Sequence, residues 1–193
     1  MNIGIFGGTF NPPHLGHLIV AEHVRETAGL DKVIFIPSYI SPHKQASEEK
    51  NAGSRLEMVK LAIEGNSYFT VSDIELRRKG TSYTFETVEA LHREHPKDAL
   101  FFLIGMDNFI EFQTWKYPER IIQHAKLVVM NRPLYQQASE PLRFSESAIF
   151  VDVPNIEISS SKIRASVKMH RSIHFLVPPE VEGYIMQHGL YQN

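Results

Sequence analysis

The sequence has 193 residues, and its 20 lysines and arginines against 22 aspartates and glutamates give a formal net charge of −2. This length suits a single domain, residues 1–193, and the near-neutral balance argues against a general nucleic-acid-binding protein, which usually has a basic excess. The absence of cysteine excludes a disulfide framework, a thiol nucleophile and a thiolate metal site. Ten histidines are many for this length, which indicates that some of them carry chemistry.

The beginning of the chain does not have the pattern of an export signal. Its apolar run at residues 3–6 is short and has no basic flank. No apolar run approaches the ~20 residues that a membrane-spanning helix needs. We therefore expect a cytoplasmic protein without a membrane partner.

Strands and helices alternate along the first part of the chain. Short apolar runs predict strands at residues 3–6 and 33–36, and periodic apolar positions predict a helix at residues 14–28 between them. The same patterns predict a second helix at residues 53–63 and a strand at residues 70–74. A strand–loop–helix–strand unit normally forms a crossover between parallel strands.

The alternation continues to the end of the chain. The apolar run at residues 100–104 is typical of a strand that is buried on both faces of a parallel sheet. The remaining predicted elements are a helix at 84–95, strands at 127–130 and 149–151, and closing helices at 160–169 and 179–188. Strands that alternate with helices predict an α/β doubly wound fold with a parallel sheet.

The clearest chemical feature lies between the first predicted strand and the first predicted helix, where residues 7–17 read GGTFNPPHLGH. Paired glycines let the backbone approach a phosphate closely, and the start of a helix offers unpaired N–H groups and a positive dipole end. Because His14 and His17 are three residues apart, both can point from one face of the first turn toward phosphate oxygens. The segment has neither the dinucleotide fingerprint nor the P-loop lysine, and a turn with two surface histidines is the alternative interpretation.

A second polar segment lies near the C-terminus, where residues 158–164 read ISSSKIR. Serines are favourable caps at the start of a helix. Arg164 lies one turn further along, where its guanidinium can bind polyphosphate charge. Taken alone, the segment equally describes a capped helix with a solvated arginine.

Together, these two segments resemble the paired signatures of the nucleotidyltransferase superfamily that carries the His-x-Gly-His motif. The second signature of that superfamily is Ile-Ser-Ser-Thr-x-Ile-Arg, and Ser161 occupies its threonine position. Three further segments resemble the bacterial nicotinate-nucleotide adenylyltransferases, namely SPHK at residues 41–44, SYTFET at 82–87, and IGMD at 104–107 followed by Trp115. The resemblance extends over nearly the whole chain and implies a Rossmann-like fold of the nucleotidyltransferase type with C-terminal helices.

The resemblance implies that the protein transfers the adenylyl group of ATP to nicotinate mononucleotide, which gives deamido-NAD and pyrophosphate. It implies catalytic roles for His14, His17, Lys44 and Arg164. The residues implied to bind ATP are Gly7, Gly8, Thr9, Phe10, His14, His17, Gly105, Asp107, Ile158, Ser160, Ser161 and Arg164. Those implied to bind nicotinate mononucleotide are Ser38, His43, Lys44, Thr84, Trp115 and Lys116.

Within the mononucleotide site, the resemblance implies that the backbone N–H groups of Thr84 and Lys116 face the nicotinate carboxylate and that Trp115 stacks on the pyridine ring. Without the resemblance, Thr84 is most simply a helix cap and Trp115 an ordinary core or rim aromatic. Arg132 follows the fifth predicted strand and is a further candidate for a nucleotide phosphate, with a surface salt bridge as the alternative.

The expected reaction agrees with these residue types. The attacking phosphate monoester has a second pKa near ~6 and is mostly dianionic at neutral pH, so the transfer needs neither a general base nor a protein nucleophile. The protein has to place two anions in line and stabilise charge on the transferred and leaving groups. We expect Mg²⁺ to arrive with ATP, since the sequence shows no dedicated carboxylate cage.

The sequence departs from the family pattern at several positions. Asn11 replaces the usual aspartate, Ser38 and Ser41 replace an asparagine and a proline, and Lys116 stands where an aromatic residue is common. Asn11 can still cap and turn the chain, but it carries no charge. A backbone contact survives the change at Lys116, so the acid form of the mononucleotide remains the expected substrate.

Other functions compete with this prediction. A phosphopantetheine adenylyltransferase is usually shorter and lacks the Ser-Tyr-Thr and Gly-x-Asp…Trp segments. A nucleotide-binding regulatory module without catalysis predicts damage to His14, His17 or Arg164, and all three are intact. A tRNA-binding role needs an anticodon domain and a basic face, and neither is present. The expected partners are small-molecule substrates, and a homo-oligomer is left open.

Overall fold

The computed structural model describes residues 1–41, 51–131 and 143–192. The strands are β1 (Asn2–Gly8), β2 (Lys32–Pro37), β3 (Phe69–Val71), β4 (Ala99–Gly105), β5 (Ala125–Asn131) and β6 (Ala148–Asp152). The helices are α1 (Leu15–Thr27), α2 (Ala52–Ile63), α3 (Ile74–Arg78), α4 (Thr84–Glu94), α5 (Met106–Glu111), α6 (Pro118–His124), α7 (Ser160–Lys168) and α8 (Pro179–Gln187). Within the described ranges, no helix has the length and apolar character needed to cross a membrane.

The strands form one six-stranded parallel sheet in the order β3-β2-β1-β4-β5-β6. The chain proceeds outward from β1 through β2 to β3, then returns to the other side of β1 with β4 and continues to β6. The predicted doubly wound α/β fold is therefore confirmed. The direction of winding reverses between β1 and β4, and open sheets of this kind bind ligands at the carboxyl ends of the strands there.

Strand β4 shows why the sheet is buried on both sides, as its continuous apolar run predicts. Leu100 and Phe102 pack into the core beneath α4, α5 and α6. Phe101 and Leu103 point the opposite way, into the core beneath α1 and α2. Since full burial of one such side chain contributes roughly 1.5–3 kcal/mol, the alternation fixes the two helical layers on opposite faces.

The C-terminal helices form a third core against α2. Ile163 and Val167 of α7 and Val181 of α8 pack with Met58 of α2. This packing places the start of α7 beside the loop that connects β1 to α1, where Ser160 donates a hydrogen bond to the carbonyl of Pro12 (2.8 Å). The two predicted closing helices are confirmed, and they complete the wall on one side of the carboxyl ends.

The predicted strand at residues 70–74 is only partly correct. The observed β3 covers Phe69–Val71, and Ile74 instead begins the short helix α3. Ile74 and Glu75 are both buried in the first turn of α3, so tertiary packing overrides the strand preference of a β-branched residue. This correction matters for the site, because α3 carries Glu75 into a cavity described below.

Two helices between β4 and β5 are absent from the prediction. Helices α5 and α6 have six and seven residues, fewer than two turns, so neither repeats its apolar positions often enough to show a period. Pro118 at the first position of α6 was the available start signal. Helix α2 buries Val59 and Ile63, and its buried face also includes the charged Arg55, whereas Leu56 is only partly buried.

Candidate active site

The predicted site lies where the sheet changes its direction of winding. Gly7 and Gly8 end β1, and Gly105 ends the neighbouring strand β4. Helix α1 begins seven residues after Gly8, so its N-terminus faces the same edge of the sheet. The glycine-rich loop, the start of α1 and the end of β4 therefore meet at the position expected for a bound nucleotide.

The side chain of Phe10 holds the shape of the loop after β1. Phe10 has a positive φ of 48° and is 3% exposed, and its ring packs edge-on against Phe6 at a centroid distance of 5.6 Å. A Cβ at Gly8 would lie 3.0 Å from this ring, which explains the glycine at that position. Since the ring of Phe10 belongs to the core, its backbone is the part that can serve the predicted contact with ATP.

His14 and His17 lie stacked at the start of α1. Their ring centroids are 3.7 Å apart with an interplanar angle of 25°, as their spacing of three residues predicts. The backbone N–H of His14 donates to Nδ1 of His17 (3.1 Å). Because Nδ1 of His17 accepts this hydrogen bond, a neutral His17 carries its proton on Nε2, which makes Nε2–H a hydrogen-bond donor.

Gly16 is the residue that makes room for the histidine pair. A Cβ at Gly16 would lie 3.1 Å from Nδ1 of His14 and 3.3 Å from the side chain of Ile156. Both distances are shorter than an ordinary van der Waals contact, so any side chain at this position would displace the His14 ring. The glycine between the two histidines thus leaves the His14 ring in its observed position.

Both imidazoles are held in the neutral state by their surroundings. Burial lowers the pKa of His14 to about 4. Burial, together with the neighbouring charge of His14, lowers the pKa of His17 to about 3. At neutral pH the pair therefore presents neutral N–H donors rather than imidazolium ions, so hydrogen bonds rather than ionic charge are what it offers to an anion.

These depressed pKa values make the folded state sensitive to mild acid. An unfolded histidine takes up a proton below about pH 6.5, whereas folded His14 does so only near pH 4, so the unfolded state binds more protons in this window. The stabilisation is complete above pH 6.5 and is lost as the pH falls, by roughly 2 kcal/mol between pH 7.5 and 5 for His14 alone. Urea unfolding at the two pH values measures this loss.

The matched variant for that measurement is His14→Gln, which cannot titrate. Burial raises the pKa of Glu75, which acts in the opposite direction, but this contribution is common to both proteins and cancels in the difference. We expect a shallower dependence of unfolding free energy on pH in the variant than in the wild type. Equal slopes for the two proteins would contradict the assignment of a depressed pKa to His14.

The start of α7 and the C-terminus hold the loop between β1 and α1. Nη1 of Arg164 donates to the carbonyl of Asn11 (2.7 Å), and its Nη2 lies 3.4 Å from Oγ of Ser161. The hydroxyl of Tyr191 donates to Oδ1 of Asn11 (2.5 Å), and burial raises the pKa of this phenol. Asn11, noted above as a departure from the family, thus has a structural role as an acceptor that links the C-terminus to the loop.

A cavity of about 800 Å³ brings most of the predicted mononucleotide residues to the same loop. The predicted site residues that line it are Gly7, Gly8, Thr9, Ser38, Thr84, Trp115 and Lys116. His14, His17, Ser160 and Arg164 cluster on the other side of the loop and do not line this cavity. The two groups are joined by the glycine-rich loop, which belongs to both.

The remaining predicted residues do not join either group directly. Gly105 caps α5, and Asp107 is exposed in its first turn, where its charge is favourable near the helix N-terminus. Ile158 packs against the third core rather than into the cavity. Three predicted residues, His43, Lys44 and Arg132, lie outside the described residues.

Three predicted site residues have a buried polar atom without a hydrogen-bond partner among the described residues. These atoms are Nδ1 of His14, Oγ of Ser38 and Nε1 of Trp115. Since a buried polar atom left unpaired destabilises a fold by about 1–3 kcal/mol, proteins rarely retain such atoms without a function. His14 follows the glycine-rich loop, and Ser38 and Trp115 line the cavity, so these three atoms are available to form hydrogen bonds with a bound ligand.

Trp115 and Lys116 form the far wall of the cavity with Tyr83. The indole of Trp115 packs against Phe112 (centroids 5.4 Å apart) and Phe102 (6.2 Å). Nζ of Lys116 lies over the ring of Tyr83, 4.1 Å from its centroid. Thr84 begins α4 beside them, and N–H groups in the first turn of a helix have no partner within that helix.

The sequence prediction missed two buried charged residues that adjoin the site, Arg55 and Glu75. Arg55 is completely buried, and Glu75 is 7% exposed, lines the cavity and accepts a hydrogen bond from the hydroxyl of Thr87 (2.6 Å). The available signal for Arg55 was its spacing from Met58 and Val59, which places a charge on the apolar face of α2. A charged residue in such a position is buried only where it has specific partners.

The described residues contain no group of three His, Cys, Asp or Glu side chains that could hold a metal ion. The polar side chains placed around the loop are instead neutral imidazoles, hydroxyls and the guanidinium of Arg164. These groups are suited to phosphate oxygens. They fit a divalent metal that is coordinated mainly by the phosphates of a nucleotide and its own waters.

The sequence is similar to those of known proteins over nearly its whole length. A family model described as cytidylyltransferase-like matches residues 5–166. The nicotinate-nucleotide adenylyltransferase of Bacillus subtilis is 40% identical over 192 residues, which cover 99% of this chain and 98% of that protein. A probable nicotinate-nucleotide adenylyltransferase of Trichlorobacter lovleyi is 42% identical over 212 residues and covers 100% of both chains.

Solved structures give the same result at the level of the fold. A putative nicotinate-nucleotide adenylyltransferase from Vibrio parahaemolyticus matches with a TM-score of 0.70 at 25% identity, over 100% of this chain and 96% of that chain. The Plasmodium falciparum nicotinic acid mononucleotide adenylyltransferase complexed with NaAD matches with a TM-score of 0.79 at 19% identity, over 98% and 97% of the two chains.

Proposed function

Because the chain belongs to the cytidylyltransferase-like family and, within it, to the nicotinate-nucleotide adenylyltransferases, we propose that it transfers the adenylyl group of ATP to nicotinate mononucleotide. The products are deamido-NAD and pyrophosphate, so the reaction is a step of NAD biosynthesis. The observation that carries the proposal is the set of unpaired buried polar atoms of His14, Ser38 and Trp115 on the two sides of one glycine-rich loop. A site for two substrates needs hydrogen-bonding groups for each of them, at the ATP side and at the mononucleotide side.

The transfer proceeds by direct attack of one phosphate on another. The phosphate of the mononucleotide attacks the α-phosphorus of ATP, a new P–O bond forms, and the bond to the β-phosphate oxygen breaks to release pyrophosphate. The attacking group is already mostly dianionic at neutral pH, so no side chain has to remove a proton. The protein positions the two anions and stabilises the charge that develops.

The loop after β1, His14, His17 and Arg164 serve the ATP side. The N–H groups of Gly8 and Thr9 lie at the carboxyl end of β1, close to where a phosphate approaches the start of α1. His17 donates from Nε2 and His14 donates from its ring to phosphate oxygens. Arg164 is anchored to the carbonyl of Asn11 and binds the polyphosphate with its remaining N–H groups.

The ATP enters with a divalent metal, which we propose is Mg²⁺. The metal would supply charge neutralisation at the phosphates, and His14, His17 and Arg164 would donate to the remaining phosphate oxygens. Among residues 1–41, 51–131 and 143–192, the site offers donors for the phosphates and no group of three carboxylates or imidazoles that could hold a metal ion. Gly105, Asp107, Ile158, Ser160 and Ser161 are proposed to line the adenosine and polyphosphate side.

The cavity serves the mononucleotide. We assign the nicotinate carboxylate to the backbone N–H groups of Thr84 and Lys116, and the pyridine ring to the indole face of Trp115. Ser38 offers its buried hydroxyl to the same ligand. The phosphate end is assigned to His43, Lys44 and Arg132.

The direct test of this function is an acceptor comparison. The full chain is incubated with Mg-ATP and nicotinate mononucleotide, nicotinamide mononucleotide or phosphopantetheine, and pyrophosphate release is measured. We expect the highest kcat/KM with nicotinate mononucleotide. Activity with phosphopantetheine alone would contradict the proposal. If the chain bound ATP but released no pyrophosphate with any of the three acceptors, the result would favour a regulatory module.

The side chain of Lys116 should strengthen the preference for the acid form. Its ammonium is held over Tyr83 at the cavity wall, where it attracts a carboxylate but gains little from an amide. For Lys116→Met we expect kcat/KM with nicotinate mononucleotide to fall about tenfold, which corresponds to ~1.4 kcal/mol. Activity with nicotinamide mononucleotide should stay within about twofold, since a neutral ring loses no charge partner.

The matched control for this variant is Lys126→Met. Nζ of Lys126 also lies near an aromatic ring, 5.7 Å from the centroid of Phe101, but Lys126 does not line the cavity. Its replacement should leave the ratio of the two kcat/KM values unchanged. An unchanged ratio in Lys116→Met as well would show that the ammonium does not select the acid form.

A further inference from the structure

Arg55 connects the two loops that carry the two substrate sites. Its guanidinium is completely buried on α2. Nη1 donates to the carbonyl of Thr9 in the glycine-rich loop (2.8 Å), and Nη2 donates to the carbonyl of Tyr39 in the segment that follows β2 (3.0 Å). One rigid side chain therefore sets the distance between the loop on the ATP side and the segment on the mononucleotide side.

Three further hydrogen bonds hold the segment around Tyr39. The backbone N–H of Tyr39 donates to Oγ of Ser82 (2.9 Å), and the backbone N–H of Ser82 donates to the carbonyl of Ile40 (2.8 Å). The backbone N–H of Ser38 donates to the carbonyl of Gly8 (2.9 Å). The segment is thus fastened to the glycine-rich loop on one side and to the loop before α4 on the other.

Glu75 extends this connection to the nicotinate end of the cavity. Its side chain accepts a hydrogen bond from the hydroxyl of Thr87 (2.6 Å), and Ser82 and Arg55 both interact with its charge and lower its pKa, against the effect of burial. A buried polar path therefore runs from Thr9 through Arg55, Tyr39 and Ser82 to Glu75. Such groups are retained in a low-dielectric interior only when their partners are fixed, so the path makes the relative position of the two loops rigid.

A guanidinium is the group that can perform this function. Its planar fork carries donors on two separate nitrogens, so it can donate to two carbonyl groups in fixed directions at once. The ammonium of lysine keeps the charge but lacks this fork geometry. A lysine at this position would therefore keep the buried positive charge but lose the alignment of the two carbonyls. Comparing arginine with lysine separates the two contributions.

We propose that Arg55 is a positioning residue that aligns the two substrates of the proposed reaction with each other, and that it does not set the affinity for either one. This inference rests on the proposed adenylyl transfer. In-line attack requires the reacting atoms to be placed within a few tenths of an ångström, and a misplacement of about 1 Å costs about 10² in rate. Loss of the connection therefore lowers kcat, whereas each substrate keeps its own contacts.

The test compares Arg55→Lys with the wild type in three measurements. Calorimetry gives the Kd of nicotinate mononucleotide and the Kd of a non-hydrolysable ATP analogue with Mg²⁺, each alone, and pyrophosphate release gives kcat per folded molecule. We expect kcat to fall about tenfold or more, and each Kd to change less than about threefold. A kcat within about twofold of the wild type, or a rise in both Kd values with kcat unchanged, would overturn the proposal.

The matched control is Arg25→Lys. Arg25 is also an arginine with a mostly buried side chain, but its guanidinium pairs with Glu22 in α1, away from the cavity. Its replacement should alter thermal stability without changing kcat. Because activity of the wild type with nicotinate mononucleotide is measured in the acceptor comparison, an unaffected Arg55→Lys counts against the alignment role and leaves the proposed function standing.

Ser82→Ala provides a second variant if Arg55→Lys does not fold. It removes the hydrogen bond to the N–H of Tyr39 and leaves Arg55 in place. We expect the same pattern on a smaller scale, a kcat about three- to tenfold lower with both Kd values preserved. A folded Ser82→Ala protein with normal kcat would argue against alignment through this segment.

Discussion

The substitution His17→Ala is expected to lower kcat by roughly 10²–10³-fold, the usual effect of removing a hydrogen-bond donor from a transition state. The neutral ring of His17 carries its proton on Nε2 because Nδ1 accepts from the N–H of His14. That donor is fixed before the substrates arrive, so it stabilises developing charge without reorganisation. Steady-state kinetics with Mg-ATP and nicotinate mononucleotide measures the loss.

The control for this variant is His23→Ala on the same helix. His23 lies two turns further along α1 and contacts the carbonyl of Asp152 (2.8 Å) instead of the glycine-rich loop. We expect this replacement to leave kcat within about twofold, since its ring touches neither substrate site. A folded His17→Ala protein with normal kcat would refute the role given to His17.

Arg164→Ala should give the next largest loss, about 10²-fold in kcat/KM. Arg164 holds the carbonyl of Asn11 with one nitrogen and contacts Ser161 with another, which orients the guanidinium at the start of α7. The substitution removes both a charge for the polyphosphate and an anchor of the loop. Arg164→Lys restores the charge without the fork, so we expect it to recover only part of the activity.

Arg171→Ala is the matched control for Arg164→Ala. Arg171 is exposed and follows α7, so its loss should leave kcat/KM unchanged within about twofold. The measurements are kcat/KM for ATP at saturating nicotinate mononucleotide, and kcat/KM for nicotinate mononucleotide at saturating ATP. If Arg164→Ala raised only the KM for nicotinate mononucleotide, its assignment to the ATP side would be wrong.

The strands of the sheet were predictable because their apolar runs are local. The run at Leu100–Ile104 has no polar position, which only burial on both faces allows, and the structure divides these residues between two cores. Ile74 was predicted in a strand because its β-branched side chain favours strands. In the structure it begins the short helix α3, and its side chain is buried there. Helices of fewer than two turns, such as α5, leave no periodic signal at all.

The arrangement of site residues was predictable from the sequence where those residues lie within one helical turn of each other. The spacing of His14 and His17 predicted two rings on one face, and the rings are stacked. The burial of Arg55 left a signal in its spacing from Met58 and Val59, but its partners left none. The carbonyls of Thr9 and Tyr39 lie 46 and 16 residues away in sequence and are brought near only by the packing of α2 on the sheet.

At Gly16, the stability of helix α1 and the position of the His14 ring place different demands on the residue. A glycine inside a helix is less favourable than alanine by roughly 0.5–1 kcal/mol, so an alanine here would strengthen the first turn of α1. Its Cβ would nevertheless press on the His14 ring at 3.1 Å. Selection for heat resistance alone would therefore weigh the helix gain against this contact, whereas selection for formation of the product would retain the glycine, because the contact displaces a ring of the site.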